Sequence, residues 1–120
     1  MSHRVISNSP MHIHPHLEIV KHGREQRVPS QIGIKPSLYK DHEYDQFIGD
    51  MGAAPVHTHD SSGILHVESS VTMKYTLGDF YKIWGKELPA NAHVTADGRD
   101  VAHPNNLVLK DGQQIVVELP

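Results

Sequence analysis

Leu107-Val108-Leu109-Lys110-Asp111-Gly112-Gln113-Gln114-Ile115-Val116-Val117-Glu118-Leu119 reads as two extended runs about an Asp-Gly turn. Asp-Gly accepts the positive φ values that tight turns demand. Ile115 to Leu119 is near-continuously apolar, which suits a strand at the middle of a sheet. Just upstream, Val94 and Val101 flank a second such pair, Asp97-Gly98, the mark of a hairpin. Earlier still, Thr76-Leu77-Gly78-Asp79 has the form of a helix N-terminus, with a hydroxyl cap and an acid three residues on. Leu77, Phe80, Tyr81 and Trp84 then fall at i, i+3, i+4 and i+7, one apolar stripe for a core, and Gly85 is the stop.

The N-terminal half supplies further strands. Leu17 to Lys21 is extended, His22-Gly23 occupies the place of a two-residue turn, and Arg24 to Val28 returns until Pro29 ends the strand. Residues 56–68 read as another hairpin about Asp60-Ser61-Ser62-Gly63, and 71–75 continue as strand. Residues 1–11 are patternless and read as a loose N-terminal arm. Residues 30–54 read as a long loop, since Ile32, Ile34, Leu38, Tyr39, Phe47 and Ile48 follow neither period. Together these elements predict one domain over 1–120. Its expected fold is α+β, a mixed β-sheet of hairpins with one short helix packed on it. A small β-barrel or cupin-like roll is the alternative.

Composition narrows the function. The formal charge is −3, which disfavours a binder of nucleic-acid backbones. No apolar run approaches the length needed to span a bilayer, and Met1-Ser2-His3-Arg4 lacks the apolar core of a secretory signal. A cytoplasmic protein is therefore expected, with neither membrane nor nucleic acid as partner. The absence of cysteine excludes disulfides, thiolate zinc sites, iron–sulfur clusters and a cysteine nucleophile. Ser61 and Ser62 beside His59 and Asp60 do not make a hydrolase triad, because neighbours along a strand point apart.

The outlier is histidine, with eleven in 120 residues and no contiguous tag. Imidazole is the commonest side-chain metal ligand. Alternation along a strand puts His12, His14 and His16 on one face of an extended segment, and His57 and His59 on one face of another. If the turn is centred on Ser61-Ser62, His57 opposes His66, and His57, His59, His66 and Glu68 share a face. A three-residue turn would send His66 to the other side. Three imidazoles leave a bound ion an open position, the arrangement of catalytic sites. Asp60 and Glu68 are then the candidates for general base, fourth ligand or orienting partner. Pro15 within the first run favours an edge strand or extended loop. His22 reads as a turn residue, His3, His93 and His103 as surface residues, and His42 as part of a solvated charged stretch.

Two resemblances add to this. The segment from Val94 to Leu119, with its Leu109-Lys110-Asp111-Gly112 turn before the last strand, resembles the end of a β-grasp (ubiquitin-like) domain. The motifs His12-Ile13-His14-Pro15-His16-Leu17-Glu18-Ile19 and His57-Thr58-His59-Asp60-Ser61-Ser62-Gly63-Ile64-Leu65-His66-Val67-Glu68-Ser69, with Tyr75 to Phe80, resemble a family of small, uncharacterised prokaryotic proteins frequent in archaea. That resemblance implies no named activity. Some members carry a membrane-anchored extension and a cysteine before the His-Thr-His-Asp element, features this chain does not show.

The sequence thus predicts a transition-metal-binding protein with His57, His59 and His66, joined by His12, His14 and His16, as ligands. The leading reading is a metal-dependent hydrolase or hydratase acting on a small-molecule substrate, with Zn2+ as the expected ion and Fe2+ or Cu2+ as alternatives. A second reading is a carrier, store or sensor of copper, nickel or zinc. A third is a β-grasp interaction module without metal. Edge strands and a small core admit a homodimer.

Overall fold

The computed structural model describes residues 4–48 and 52–120. Along the chain run β1 (Val5–Ser7), β2 (Met11–Ile13), β3 (His16–Lys21), β4 (Arg24–Gln26), β5 (Val56–His57), β6 (His66–Ser69), β7 (Thr72–Met73), the helix α1 (Leu77–Trp84), β8 (His93–Ala96), β9 (Arg99–Asp100) and β10 (Gln114–Leu119). The fold is sheet-rich with one short helix, and its described strands form three open sheets rather than a closed barrel.

The largest sheet has the order β4-β3-β10-β8-β9. β10 lies at its middle, parallel to β3 and antiparallel to β8, as its apolar run predicts. Its burial alternates, however: Ile115 and Val117 are buried, Val116 is half-buried and Glu118 is exposed. One face alone therefore meets the core, and the near-continuous apolar run does not signal cover on both faces. The β3–β4 and β8–β9 hairpins turn at His22-Gly23 (φ 53° and 76°) and Asp97-Gly98 (φ 52° and 82°), the two-positive-φ turn that matches strand twist.

The helix packs into the same core. Leu77, Phe80, Tyr81 and Ile83 bury with Leu17, Ile19, Val94, Ile115 and Val117. Burying a side chain of this size contributes about 1.5–3 kcal/mol, so this cluster is the main source of stability. Trp84 completes the stripe only partly buried, against Phe80 and Tyr81. At the N-terminus, Asp79 N–H donates to Thr76 Oγ1 (3.1 Å) and Thr76 N–H to Asp79 Oδ2 (2.9 Å), a complete capping box. Gly85 closes the helix in the left-handed region, its N–H donating to Tyr81 O at 2.9 Å.

Two segments depart from expectation. The stretch 1–11, read as a loose arm, is tied down from residue 4 onward. Arg4 pairs with Asp79, bonds Tyr44, and donates to Lys74 O at 2.6 Å. β1 then pairs with β7. A carboxylate as buried as Asp79 (6% exposed) requires a partner, and Arg4 with Tyr44 supplies it. The stretch 30–54 is anchored too. Its described part carries the buried Ile32 and Tyr44 and two short 3-10 turns, Pro36–Leu38 and Asp45–Phe47. Ile32 and Thr58 exchange bonds: Thr58 N–H reaches Ile32 O (3.0 Å) and Ile32 N–H reaches Thr58 Oγ1 (3.0 Å). Anchors spaced for contact with several elements carry no period of their own.

A second sheet, β2-β6-β5, holds the histidines. The chain passes from it to the large sheet at residues 14–15. There Leu65 N–H donates to Pro15 O and Leu17 N–H to Gly63 O, each at 2.8 Å. Gly63 sits at φ +89°, and a Cβ on it would stand 2.3 Å from Leu17 O. Only glycine fits this crossing.

Candidate metal centre

The central strand β6 organises the site. On one side His57 of β5 lies opposite His66. On the other, His12 of β2 lies opposite Glu68. The same register carried two residues further sets His14 across from His66. One row therefore crosses the sheet as His14, His66, His57. Ring centroids are 4.8 Å apart for His14 and His66, and 5.5 Å for His57 and His66. These spacings are close to the distance between neighbouring strands. The His57 and His66 rings are nearly parallel, at 9°. His59 closes against both, 4.8 Å from His57 and 4.4 Å from His66.

Two sets of three imidazoles could hold a metal ion: His57, His59 and His66, and His12, His14 and His66. Within each set the ligand nitrogens lie no more than 4.8 Å from one another. A tetrahedral sphere with bonds of about 2.0–2.1 Å spaces its nitrogens about 3.4 Å apart, inside the 4.8 Å limit that each set meets.

His57 is the best prepared ligand. It is 1% exposed, and its Nδ1 lies 2.7 Å from Ala54 O. A carbonyl only accepts, so Nδ1 carries the proton and Nε2 keeps a lone pair. That Nε2 is buried with no hydrogen-bond partner among the described residues. An unpaired buried acceptor costs about 1–3 kcal/mol. A backbone carbonyl fixing the tautomer of the opposite nitrogen is the usual support of a metal-bound imidazole. Gly33 packs directly beneath, where a Cβ would stand 3.1 Å from His57 Cβ.

The surroundings of His57 and His66 favour their neutral forms, as ligation requires. Burial pushes His57 below the ordinary histidine value, against the Ala54 hydrogen bond and the Glu68 charge that favour its protonated form. His66 is pushed down to about 4, first by burial and then by mutual repulsion with His59, His57, His14 and His12.

Three predicted site residues, His16, Asp60 and Glu68, fall outside both sets. His16 does not join His12 and His14. The chain leaves the small sheet at Pro15, the alternation breaks there, and His16 Nε2 lies 2.9 Å from Ser62 O. Asp60 is exposed, and its carboxylate accepts from Ser62 N–H (3.0 Å) and Ser62 O–H (2.5 Å). Those bonds lower its pKa and make it the brace of its own turn. Glu68 is half-buried on the histidine face, although neither set includes its carboxylate. The turn keeps the register that sets His57 against His66. Beyond that pair the strands part, and Ile64 bridges to His16 instead of facing His59.

His42 and His93 have partners of their own. His42 stacks on Tyr39 at 4.0 Å and meets Asp45 at 2.9 Å. His93, read as an unpartnered surface residue, lies 2.8 Å from Asp100 and 3.4 Å from Glu118, which raises its pKa. His3 falls outside the described residues. The position of His14 beside His66 had a readable signal: His12-x-His14 and His66-x-Glu68 are complementary alternations that antiparallel pairing superposes.

Comparison with protein-family models gave no match, and comparisons with curated proteins and with solved structures gave none either. No described helix is long and apolar enough to cross a membrane.

Proposed function

We propose that this chain is a transition-metal-binding protein in which His57, His59 and His66 hold a single ion, Zn2+ in the first instance, for hydrolysis or hydration of a small molecule. The observation that carries the reading is the buried Nε2 of His57, deprotonated, oriented by Ala54 O, and without a partner among the described residues. An all-nitrogen donor set suits zinc, with Fe2+ and Cu2+ as competitors. An ion with three protein ligands and an open fourth position brings a bound water to a pKa of about 7, which is the chemistry such a site would supply. Glu68 is the chain's own candidate to take a proton there, since it shares the histidine face. A cleft of ≈ 380 Å³ lined by Met11, His12, Ile48, Glu68 and Ser69 offers room for a small substrate against Glu68 and His12, although His57, His59 and His66 do not line it.

The scaffold reads as β-grasp-like. Support comes from the order β4-β3-β10-β8-β9, with an N-terminal hairpin, a helix before the second hairpin, and a parallel central pair. On this reading residues 27–76 are an insertion that joins the N-terminal strands to build the histidine sheet.

The test is elemental analysis of protein made without a histidine tag. About one transition ion per chain is expected, lost in His57→Ala and in His59→Ala. Protein without metal, or retention untouched by both substitutions, overturns the proposal. The exposure of His12 and His14 favours a second reading, a non-catalytic carrier. Azide added to the Co2+-loaded protein separates the two: a shifted visible spectrum marks an exchangeable position, and an unchanged one marks a saturated carrier site.

A further inference from the structure

His66 belongs to both histidine sets, and the two sets differ in depth. His12 and His14 are exposed, His59 and His66 are half-buried, and His57 is sealed. The row His14, His66, His57 therefore runs from solvent to core in steps of 4.8 and 5.5 Å. Simultaneous filling of both sets is opposed on two counts. Neither set contains a carboxylate, so two dications would face each other across one ring with no neutralising ligand. His66 would also have to give up both ring protons to serve two ions at once. One ion at a time leaves the outer set free to receive what the inner set retains.

We propose that His12 and His14, with His66, form the loading position for the ion held by His57, His59 and His66, His66 being the ligand common to both stages. The proposal rests on the inner set being the resting site. An ion arriving from water exchanges its hydration shell for imidazoles in stages, and the exposed His12 and His14 offer the first of them before the ion reaches the sealed His57. Loading through an outer set alters the rates of arrival and departure by the same factor, and leaves the equilibrium between free and bound ion unchanged.

Stopped-flow transfer of Zn2+ from a chromogenic chelator to the full chain tests this. The pair His12→Ala/His14→Ala should slow association by roughly tenfold or more, slow dissociation alike, and leave affinity and the one-ion stoichiometry within about threefold. The pair His12→Gln/His14→Gln, which keeps the side-chain bulk on β2, should behave the same. His57→Ala should retain rapid capture and lose the ion on desalting. Unchanged association in both pairs overturns the proposal. Loss of equilibrium binding in both pairs overturns it too, because His12 and His14 would then be permanent ligands. Two ions per chain at saturation refutes the exclusion of joint filling. Absence of any Zn2+ binding by the unaltered chain is the separate result that removes the inner site itself.

Discussion

Replacing His57 with leucine divides the two roles an imidazole at this position can have. In the metal-free protein the substitution removes a buried, unpaired Nε2, which relieves about 1–3 kcal/mol. It also removes the hydrogen bond to Ala54 O, a loss of about 0.5–1.5 kcal/mol net, more if that carbonyl stays dry. The two nearly cancel, so in EDTA the variant and the parent should agree within about 1 kcal/mol. With Zn2+ at about a thousand times the parent's dissociation constant, the variant, left with the weaker outer set, gains less than the parent, which gains about 4 kcal/mol by mass action. For a chain of this length that is a rise in Tm of roughly 15 °C. Zinc bound by the other histidines in the unfolded chain largely cancels in the comparison, because both proteins share them. The assay is urea unfolding followed by tryptophan fluorescence, with EDTA and with Zn2+. Equal stabilisation of both proteins by Zn2+ would place the ion away from His57. A loss above about 3 kcal/mol in EDTA would make His57 an ordinary core residue with a satisfied ring.

Acidification should destabilise the metal-free protein. His66 titrates at about 4 and His57 below its ordinary value in the fold, whereas both titrate near 6.5 when unfolded, so the unfolded chain binds more protons between those limits. Their contribution is complete above pH 6.5 and declines as the pH falls toward 4. Urea midpoints in EDTA at pH 7.5, 6.5 and 5.5 should fall, and a flat series refutes the shift. Gly63→Ala should cost at least about 2 kcal/mol, since it adds a positive-φ strain to a Cβ 2.3 Å from Leu17 O. Gly23→Ala, with similar φ and open space, is the control and should cost less; parity between them would refute the close approach. Arg4→Met should cost about 3 kcal/mol by stranding the buried Asp79, with partial recovery on adding Asp79→Asn. Thermal unfolding of the single and double variants checks it, and additive losses would show that Arg4 and Asp79 are not coupled.

Much of the scaffold was legible because its signals are local. Thr76 with Asp79, the stripe Leu77-Phe80-Tyr81, and the turns at His22-Gly23 and Asp97-Gly98 each carry their cause within a few residues, and all four form. The pairing of His57 with His66 was legible for the same reason, since a short turn determines its register. What escaped depends on distant partners. Arg4 is ordered by Asp79 and Tyr44, and no pattern in residues 1–11 announces that. His16 was grouped with His12 and His14 by a period that holds only while a strand continues, and Pro15 is where this one changes sheets. Asp60, read as a candidate base, accepts two hydrogen bonds from Ser62 within its own turn, and that local pairing was not read from the sequence.

The histidine sheet draws on segments far apart in the chain, His12 and His14 on one side, His57, His59 and His66 on the other. Translation delivers them in that order. At roughly 5–20 residues per second, His14 leaves the ribosome about 3–10 s ahead of His66. For that interval the nascent chain presents His12 and His14 without His66, the ring that both sets share. On the proposed reading, firm capture of an ion waits until the middle of the chain has emerged and paired.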